Sequence, residues 1–147
     1  MLPYKQRDYY HHSNKLKGLK VLSYLTDLQS ELTLKKQQVE KLKTCKNELD
    51  SLQGEFFQNE RLVTDPHLSS KTWHGTLATD FTDVRESLEL AYKDLSQSQM
   101  NAAITAIENK IMSLQSEITS LETRITAEIE RHAREEEKRR QEKLRKD

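Results

Sequence analysis

The sequence has few of the residues that interrupt helices or build thick cores. Its 147 residues include three glycines, two prolines and one tryptophan, and apolar residues make up only 34% of the chain. A further 33% of the residues are charged. This composition is typical of long, solvated helices rather than of a thick globular core.

Cysteine and long apolar runs are also scarce. A single cysteine, Cys45, excludes an internal disulfide framework and fits folding in the cytosol, while leaving open a bridge between two chains. No apolar run approaches the roughly 20 residues that span a bilayer, and the start of the chain lacks the apolar segment of a signal peptide. We therefore expect a cytoplasmic protein without a transmembrane segment. Any export would not use the general secretory signal.

Neither sign of charge predominates. Lys plus Arg and Asp plus Glu number 24 each, so the net charge favours neither a nucleic acid nor an acidic partner. Residues 131–147 intersperse both signs without any aromatic residue. We interpret them as a charged helical or frayed tail rather than as a nucleic-acid-binding arm.

The histidines and glycines form no catalytic or ligand-binding pattern. His11 and His12 are adjacent, so their side chains diverge, and His67, His74 and His132 stand alone without the spacing of a zinc site. The glycines are scattered singly, which excludes a glycine-rich phosphate loop. We expect no catalytic residue, no metal, no cofactor and no enzymatic activity.

A heptad pattern defines a first helical arm over residues 16–58. Leu25, Leu32 and Val39 share one heptad position, and Leu28, Leu42, Leu49 and Phe56 share the other. Lys35 and Lys46 interrupt this seam, as residues that fix register or partner choice do. Residues 1–15 are polar and are interpreted as an extension that need not be ordered.

The second arm, residues 73–130, contains two apolar runs. The first run is Leu77, Phe81, Val84, Leu88, Ala91 and Leu95, and the second is Ile104, Ile107, Ile111, Leu114, Ile118, Leu121, Ile125 and Ile129. Their phases disagree around residues 96–99, which predicts a kink, a change of supercoil or a change of partner there. The second run is the stricter heptad and is interpreted as an oligomer or partner seam.

The two arms are predicted to fold back on each other. Residues 59–72 contain Pro66 and several serines and threonines, which are typical of a loop. Neither arm can bury its apolar stripe alone. The predicted fold is therefore all-α: an antiparallel helical hairpin or coiled coil with a longer second arm and a Trp-x-Gly region at the turn.

Trp73 and Gly75 are the least typical residues of this helical chain. Trp73 is suited to packing across the closed end of the two helices. Gly75 would let a neighbouring group approach where a Cβ would clash. Thr72 is a candidate helix cap, and together with Phe81 these residues form the candidate recognition site.

A Trp-x-Gly at the turn of a helical hairpin resembles the WXG superfamily handled by type VII secretion systems of Gram-positive bacteria. The surrounding residues are more specific. They are Leu42-x-x-Cys45-Lys46-x-Glu48-Leu49, Phe56 with Asn59, Pro66-x-Leu68, and Thr72-Trp73-His74-Gly75-Thr76-x-Ala78-x-x-Phe81-x-x-Val84-Arg85-Glu86. Over residues 22–129 the chain is similar to the YwqH-like family, small helical proteins encoded beside LXG toxins.

This resemblance implies a non-enzymatic adaptor or targeting chaperone. Its partner would be the helical LXG domain of a polymorphic toxin, another small WXG-like protein, or both, and the adaptor could be secreted with that partner. Many type VII substrates carry a Tyr-x-x-x-Asp/Glu signal after the second helix, but here no tyrosine follows Tyr92 and Ser96 lies four residues after it. Tyr4-Lys5-Gln6-Arg7-Asp8 matches the signal but lies at the wrong end of the chain. The alternative is a structural homo-oligomeric coiled coil without a toxin partner, which the strict run from Ile104 to Ile125 favours.

Overall fold

The chain is helical along almost its whole described length. The computed structural model describes residues 4–66, 68–69, 71 and 73–145, with side chains from residue 18 onward. Its elements are α1 (Tyr4–Thr64), α2 (Thr76–Lys93), a π-helix (Asp94–Gln99) and α3 (Met100–Leu144). Among these described residues there is no β-strand. The predicted all-α fold class is confirmed.

The helices are longer than the predicted arms. Helix α1 has 61 residues and begins at Tyr4, before the predicted start at residue 16. It ends at Thr64, two residues before Pro66, because a proline disfavours helical geometry in the residue that precedes it. Helix α3 continues through most of the charged tail to Leu144. The acids and bases of that tail are therefore carried on a helix.

The chain divides into two compact units, of which the first combines residues 1–39 and 113–147. Its core consists of Leu28, Leu121 and Ile125, with Leu25 and Leu32 packed against it. Polar contacts join the same two segments: Arg124 donates to the Tyr24 hydroxyl at 2.9 Å, and Lys35 contacts Glu117 at 2.5 Å. Residue numbers rise in α1 as they fall in α3, so this unit is an antiparallel helix pair.

The second unit, Glu40–Met112, contains the end of α1, the loop, α2, the π-helix and the start of α3. Lys46 lies 3.3 Å from Glu108, and Gln53 donates to the Ser96 carbonyl at 2.9 Å. Further along α1, the Tyr92 hydroxyl donates to the Phe56 carbonyl at 2.7 Å. This unit is therefore an antiparallel helical hairpin closed by the loop.

The π-helix lies where the two apolar phases disagree. Tyr92 is half-buried, and Ser96 and Met100 are buried. These residues are four and four apart, where a regular heptad would alternate four and three. A π-helix accommodates one extra residue in an α-helical path. The predicted irregularity at residues 96–99 is thus a π-helix, which brings the second apolar run into register with the covered side of α2.

Candidate partner-binding surface

Gly75 sets the start of α2 through its backbone conformation. Its φ is 106° and its ψ is 174°, a region that only glycine adopts without strain. Its carbonyl accepts hydrogen bonds from the Ala78 and Thr79 N–H groups at 3.1 Å each. A Cβ built on Gly75 would meet nothing within 4 Å. The predicted role in close approach is therefore wrong: the turn requires the backbone angle.

Trp73 lies in the loop rather than in the first turn of α2. Its backbone N–H donates to the Ser69 carbonyl at 3.0 Å, and its ring centroid lies 5.7 Å from that of Phe81, with 40° between the ring planes. Both side chains remain nearly half exposed. Trp73 therefore packs against α2 and presents a large aromatic surface to solvent. Thr72, the candidate cap, lies outside the described residues, and α2 has no side-chain cap hydrogen bond.

Arg85 fastens the loop to α2. Its Nε donates to the Val63 carbonyl at 3.1 Å, and its Nη1 donates to the Pro66 carbonyl at 2.7 Å. Val63 lies in the last turn of α1, where carbonyls lack helical partners and a cation is favoured by the helix dipole. The buried Nη2 of Arg85 has no hydrogen-bond partner among the described residues. This clamp helps to position the segment that carries Trp73.

The covered side of α2 is partly polar, and the apolar pattern of the sequence did not predict it. Ala78, Arg85 and Tyr92 lie on this side, at intervals of seven residues. The ring of Tyr92 meets Phe56 edge to face, with centroids 5.3 Å apart and planes at 62°. Gln53 also contributes, since its amide bonds both the Ser96 carbonyl and the Asn101 side chain. The seven-residue spacing of Ala78, Arg85 and Tyr92 could have indicated this side, had polar residues been counted in the heptad pattern.

The predicted apolar run of α2 faces solvent instead. We call this surface the outer stripe; it consists of Leu77, Phe81, Val84, Leu88, Ala91 and Leu95, all of which are exposed. Val84 is 67% exposed and Leu88 54%, so the structure corrects their predicted place in the seam between the helices. The physical reason is an offset of one residue, about 100° around the helix, between this run and the side that holds Arg85.

The other predicted seam positions lie on covered helix faces. Leu28, Val39, Leu114, Leu121 and Ile125 are buried, and Leu25, Leu32, Leu42, Leu49, Phe56, Ile104, Ile107, Ile111 and Ile118 are half-buried. Ile129, the last residue of the second run, is 50% exposed. Helix α1 and the second run of α3 as far as Ile125 therefore turn their heptad faces inward. The run interpreted as an oligomer seam contributes to packing within the chain.

The two lysines that interrupt the α1 seam are paired across the helices. Lys35 bonds Glu117 and lies 3.7 Å from Glu31. Its hydrogen bond to Glu117 raises the pKa of Lys35 above its ordinary value. Hydrogen bonds to Asp50 and then Glu108 raise the pKa of Lys46 in the same way. Each lysine keeps its charge at a seam position because a carboxylate faces it.

Neither a metal site nor a membrane span is found in the described part of the chain. No group of three His, Cys, Asp or Glu side chains there could hold a metal ion. None of its helices is both long enough and apolar enough to cross a bilayer.

Comparison with known proteins places the chain in a family. It is 37% identical over 49 residues to Protein YxiB of Bacillus subtilis (strain 168), a match that covers 33% of this chain and 40% of that protein. The chain thus aligns with less than half the length of that relative. No solved structure gives a significant match. The family model for YwqH-like proteins matches residues 18–131, close to the span over which the resemblance was recognised. The chain belongs to the YwqH-like family.

Proposed function

We propose that this protein is a non-enzymatic adaptor or targeting chaperone for type VII secretion. It binds the helical LXG domain of a cognate polymorphic toxin by packing helix against helix. It stabilises that domain or directs it to the secretion machinery, and it is co-secreted with the toxin or remains in the cytoplasm.

The exposed Trp73–Phe81 contact is the observation that carries this proposal. A tryptophan of which nearly half is exposed, packed 5.7 Å from a similarly exposed phenylalanine, is a typical anchor for a protein partner. Trp73 belongs to the loop, which Arg85 holds in place through the Pro66 carbonyl. A partner would therefore meet a surface whose backbone is already positioned, which reduces the entropy lost on binding.

Co-expression with the product of a neighbouring LXG gene tests the proposal. We expect the two proteins to elute together in size exclusion, at a mass above that of either alone. Separate elution would count against the adaptor function. The Trp73→Ala variant, checked for helicity by circular dichroism, should elute separately from the toxin while remaining folded.

A homo-oligomeric coiled coil is the second candidate. In the sequence, the strict run from Ile104 to Ile125 favoured this candidate. Leu114 and Leu121 of that run are, however, buried within the chain. What supports it now is the outer stripe, which a second copy could also cover. Light scattering on the purified protein separates the candidates, since an adaptor without its toxin should not form a defined oligomer.

A further inference from the structure

We infer that the outer stripe is the docking site for one amphipathic helix of the partner, whose apolar seam is flanked by Lys or Arg. The inference rests on the proposed adaptor function and adds to it the surface used and the charge of the partner helix. It follows from the exposure of the stripe, its continuity with Trp73 and the charges along its edge.

The outer stripe has the geometry of an unpartnered helix seam. Its residues alternate at intervals of four and three from Leu77 to Leu95, which is the spacing that packs against a second helix. The adjacent side of α2, which holds Arg85 and Tyr92, is already occupied by the contacts with α1 and the loop. One further helix can therefore lie along the stripe without displacing any contact within the hairpin.

Trp73 extends this surface beyond the start of α2. Its ring lies against Phe81, a member of the stripe, so the aromatic pair and the aliphatic residues that follow form one continuous apolar surface. Leu77, between them in sequence, is 81% exposed. Apolar surface of this extent on a small protein is typical of an interaction site.

The free edge of the stripe is acidic. At about 100° per residue, Asp80 borders the stripe on the side away from Arg85, and Asp83 lies about 60° further round the helix on that side. Both aspartates are exposed, and neither forms an ion pair with any described residue. The basic residues of α2 are engaged elsewhere: Arg85 bonds the carbonyls of Val63 and Pro66, and Lys93 is paired with Glu89 at 2.6 Å. A docked helix would place its flanking residues beside unpaired carboxylates.

These charges determine whether a second copy of the chain or a helix of a different protein is the favoured occupant of the stripe. A second copy docked through the same surface would bring its own Asp80 and Asp83 to the interface, and like charges brought together there are unfavourable. A helix with Lys or Arg beside its apolar seam would instead pair with them, as charges flanking a heptad seam do when they set partner choice. The favoured occupant is therefore a basic-flanked helix of a different protein.

The test compares two synthetic peptides of leucine heptads, identical except that the seam is flanked by Lys in one and by Glu in the other. Like charges discourage each peptide from pairing with itself. Binding to the full chain is measured by titration calorimetry. We expect the Lys-flanked peptide to bind at least about tenfold more tightly, with a preference that shrinks as salt is added. Equal affinity for the two peptides, or a preference for the Glu-flanked one, would overturn the inference.

Matched variants locate the surface. The double variant Val84→Asp and Leu88→Asp should weaken binding of the Lys-flanked peptide by about tenfold or more. Leu34→Asp is the control, because Leu34 is comparably exposed at 58% but lies on α1, outside the stripe and its acidic edge. Circular dichroism should be unchanged in all variants, since these side chains are exposed. Equal binding by the double variant and the control would exclude the stripe as the site.

A further experiment with the LXG domain distinguishes failure of this inference from failure of the proposed adaptor function. If the toxin domain elutes with the wild type and equally with the double variant, the adaptor function stands and the stripe is wrong. If the toxin domain does not elute with the wild type but the peptides behave as expected, the adaptor function fails and the docking surface stands. If the wild type is a dimer and the double variant is a monomer, the stripe binds a second copy, and the inference is overturned.

Discussion

The side-chain amide of Gln53 donates a 2.9 Å hydrogen bond to the carbonyl of Ser96, joining α1 to the π-helix. The same amide nitrogen also donates to Oδ1 of Asn101 at 2.8 Å, in the first turn of α3. A polar residue at a heptad position of α1 therefore faces the segment where the helical phase changes. Ser96 itself is 1% exposed, so little water reaches this contact.

Replacing Gln53 by Ala should destabilise the hairpin unit. The Ser96 carbonyl would lose a donor in a largely desolvated position, at a cost of about 1–2 kcal/mol in the free energy of unfolding, whereas the exposed Asn101 oxygen could bond water instead. Urea unfolding followed by circular dichroism measures this cost. Gln58→Ala is the matched control, because Gln58 is exposed on the same helix and should change stability by less than about 0.5 kcal/mol.

Deleting one residue from the π-helix should be tolerated. Without Ser98, Ser96 and Met100 would stand three apart, and the heptad would continue through an ordinary α-helix. We expect the free energy of unfolding of the deletion variant to lie within about 1 kcal/mol of the wild-type value. Deleting the exposed Ser116 from α3 is the comparison, since that deletion turns Leu121 out of the core and should cost about 3 kcal/mol or more. Equal losses from both deletions would contradict this account of the π-helix.

Gly75→Ala should destabilise the protein although no atom obstructs the new methyl group. The φ of 106° penalises any side chain, and we expect a loss of about 1–3 kcal/mol. Gly54→Ala should act in the opposite direction, because Gly54 is helical with nothing within 4 Å, and alanine favours helix by about 0.5–1 kcal/mol. Thermal unfolding should show a lower melting temperature for Gly75→Ala and a higher one for Gly54→Ala. A neutral Gly75→Ala would show that the start of α2 can change its conformation.

The pairing of Lys35 should make stability depend on alkaline pH. Because the hydrogen bond to Glu117 raises the pKa of Lys35 above its ordinary value, the stabilisation is fully present below the pKa of the unfolded chain and is lost as pH rises through the pKa of the folded protein. Melting temperatures should therefore fall above about pH 10.5 more steeply for the wild type than for Lys35→Met. Lys36→Met is a control with a more exposed pair to Glu122. Parallel curves for the wild type and Lys35→Met would contradict the prediction.

Trp73→Ala should leave the helices formed while weakening partner binding. Trp73 is 46% exposed and its contact with Phe81 is worth about 0.5–1.5 kcal/mol, so the fold should survive. Because Trp73 is the only tryptophan, its fluorescence should shift to shorter wavelength as a partner helix covers it. If a partner binds but the emission spectrum of Trp73 does not change, the contact lies elsewhere on the chain.

Much of the fold could be predicted because it is encoded locally. The heptad positions of α1, from Leu25 to Phe56, are its covered positions, since side chains three and four residues apart lie on the same face of a helix. The disagreement of phases near residues 96–99 was equally visible, and the structure resolves it as a π-helix. The ends of α1 were less predictable, because the extra turns at Tyr4 and Thr64 have no periodic apolar residue to announce them.

The candidate site was predictable only in part. Trp73 and Gly75 stood out by their rarity, but the reason for Gly75 is a backbone angle, which no pattern of side chains reports. Arg85 entered the sequence prediction only as part of the family motif, because its bonds to the carbonyls of Val63 and Pro66 depend on the tertiary structure.

Local sequence accounts for the helices, their heptad faces and the position of the loop, because helix propensity and periodicity act over a few neighbouring residues. The tertiary structure alone decided which side of α2 is covered. Arg85 and Tyr92 bond carbonyls 22 and 36 residues away in the chain, and these contacts hold a partly polar side inward. They leave Leu77, Val84 and Leu88 exposed, although hydrophobicity considered residue by residue would have buried them.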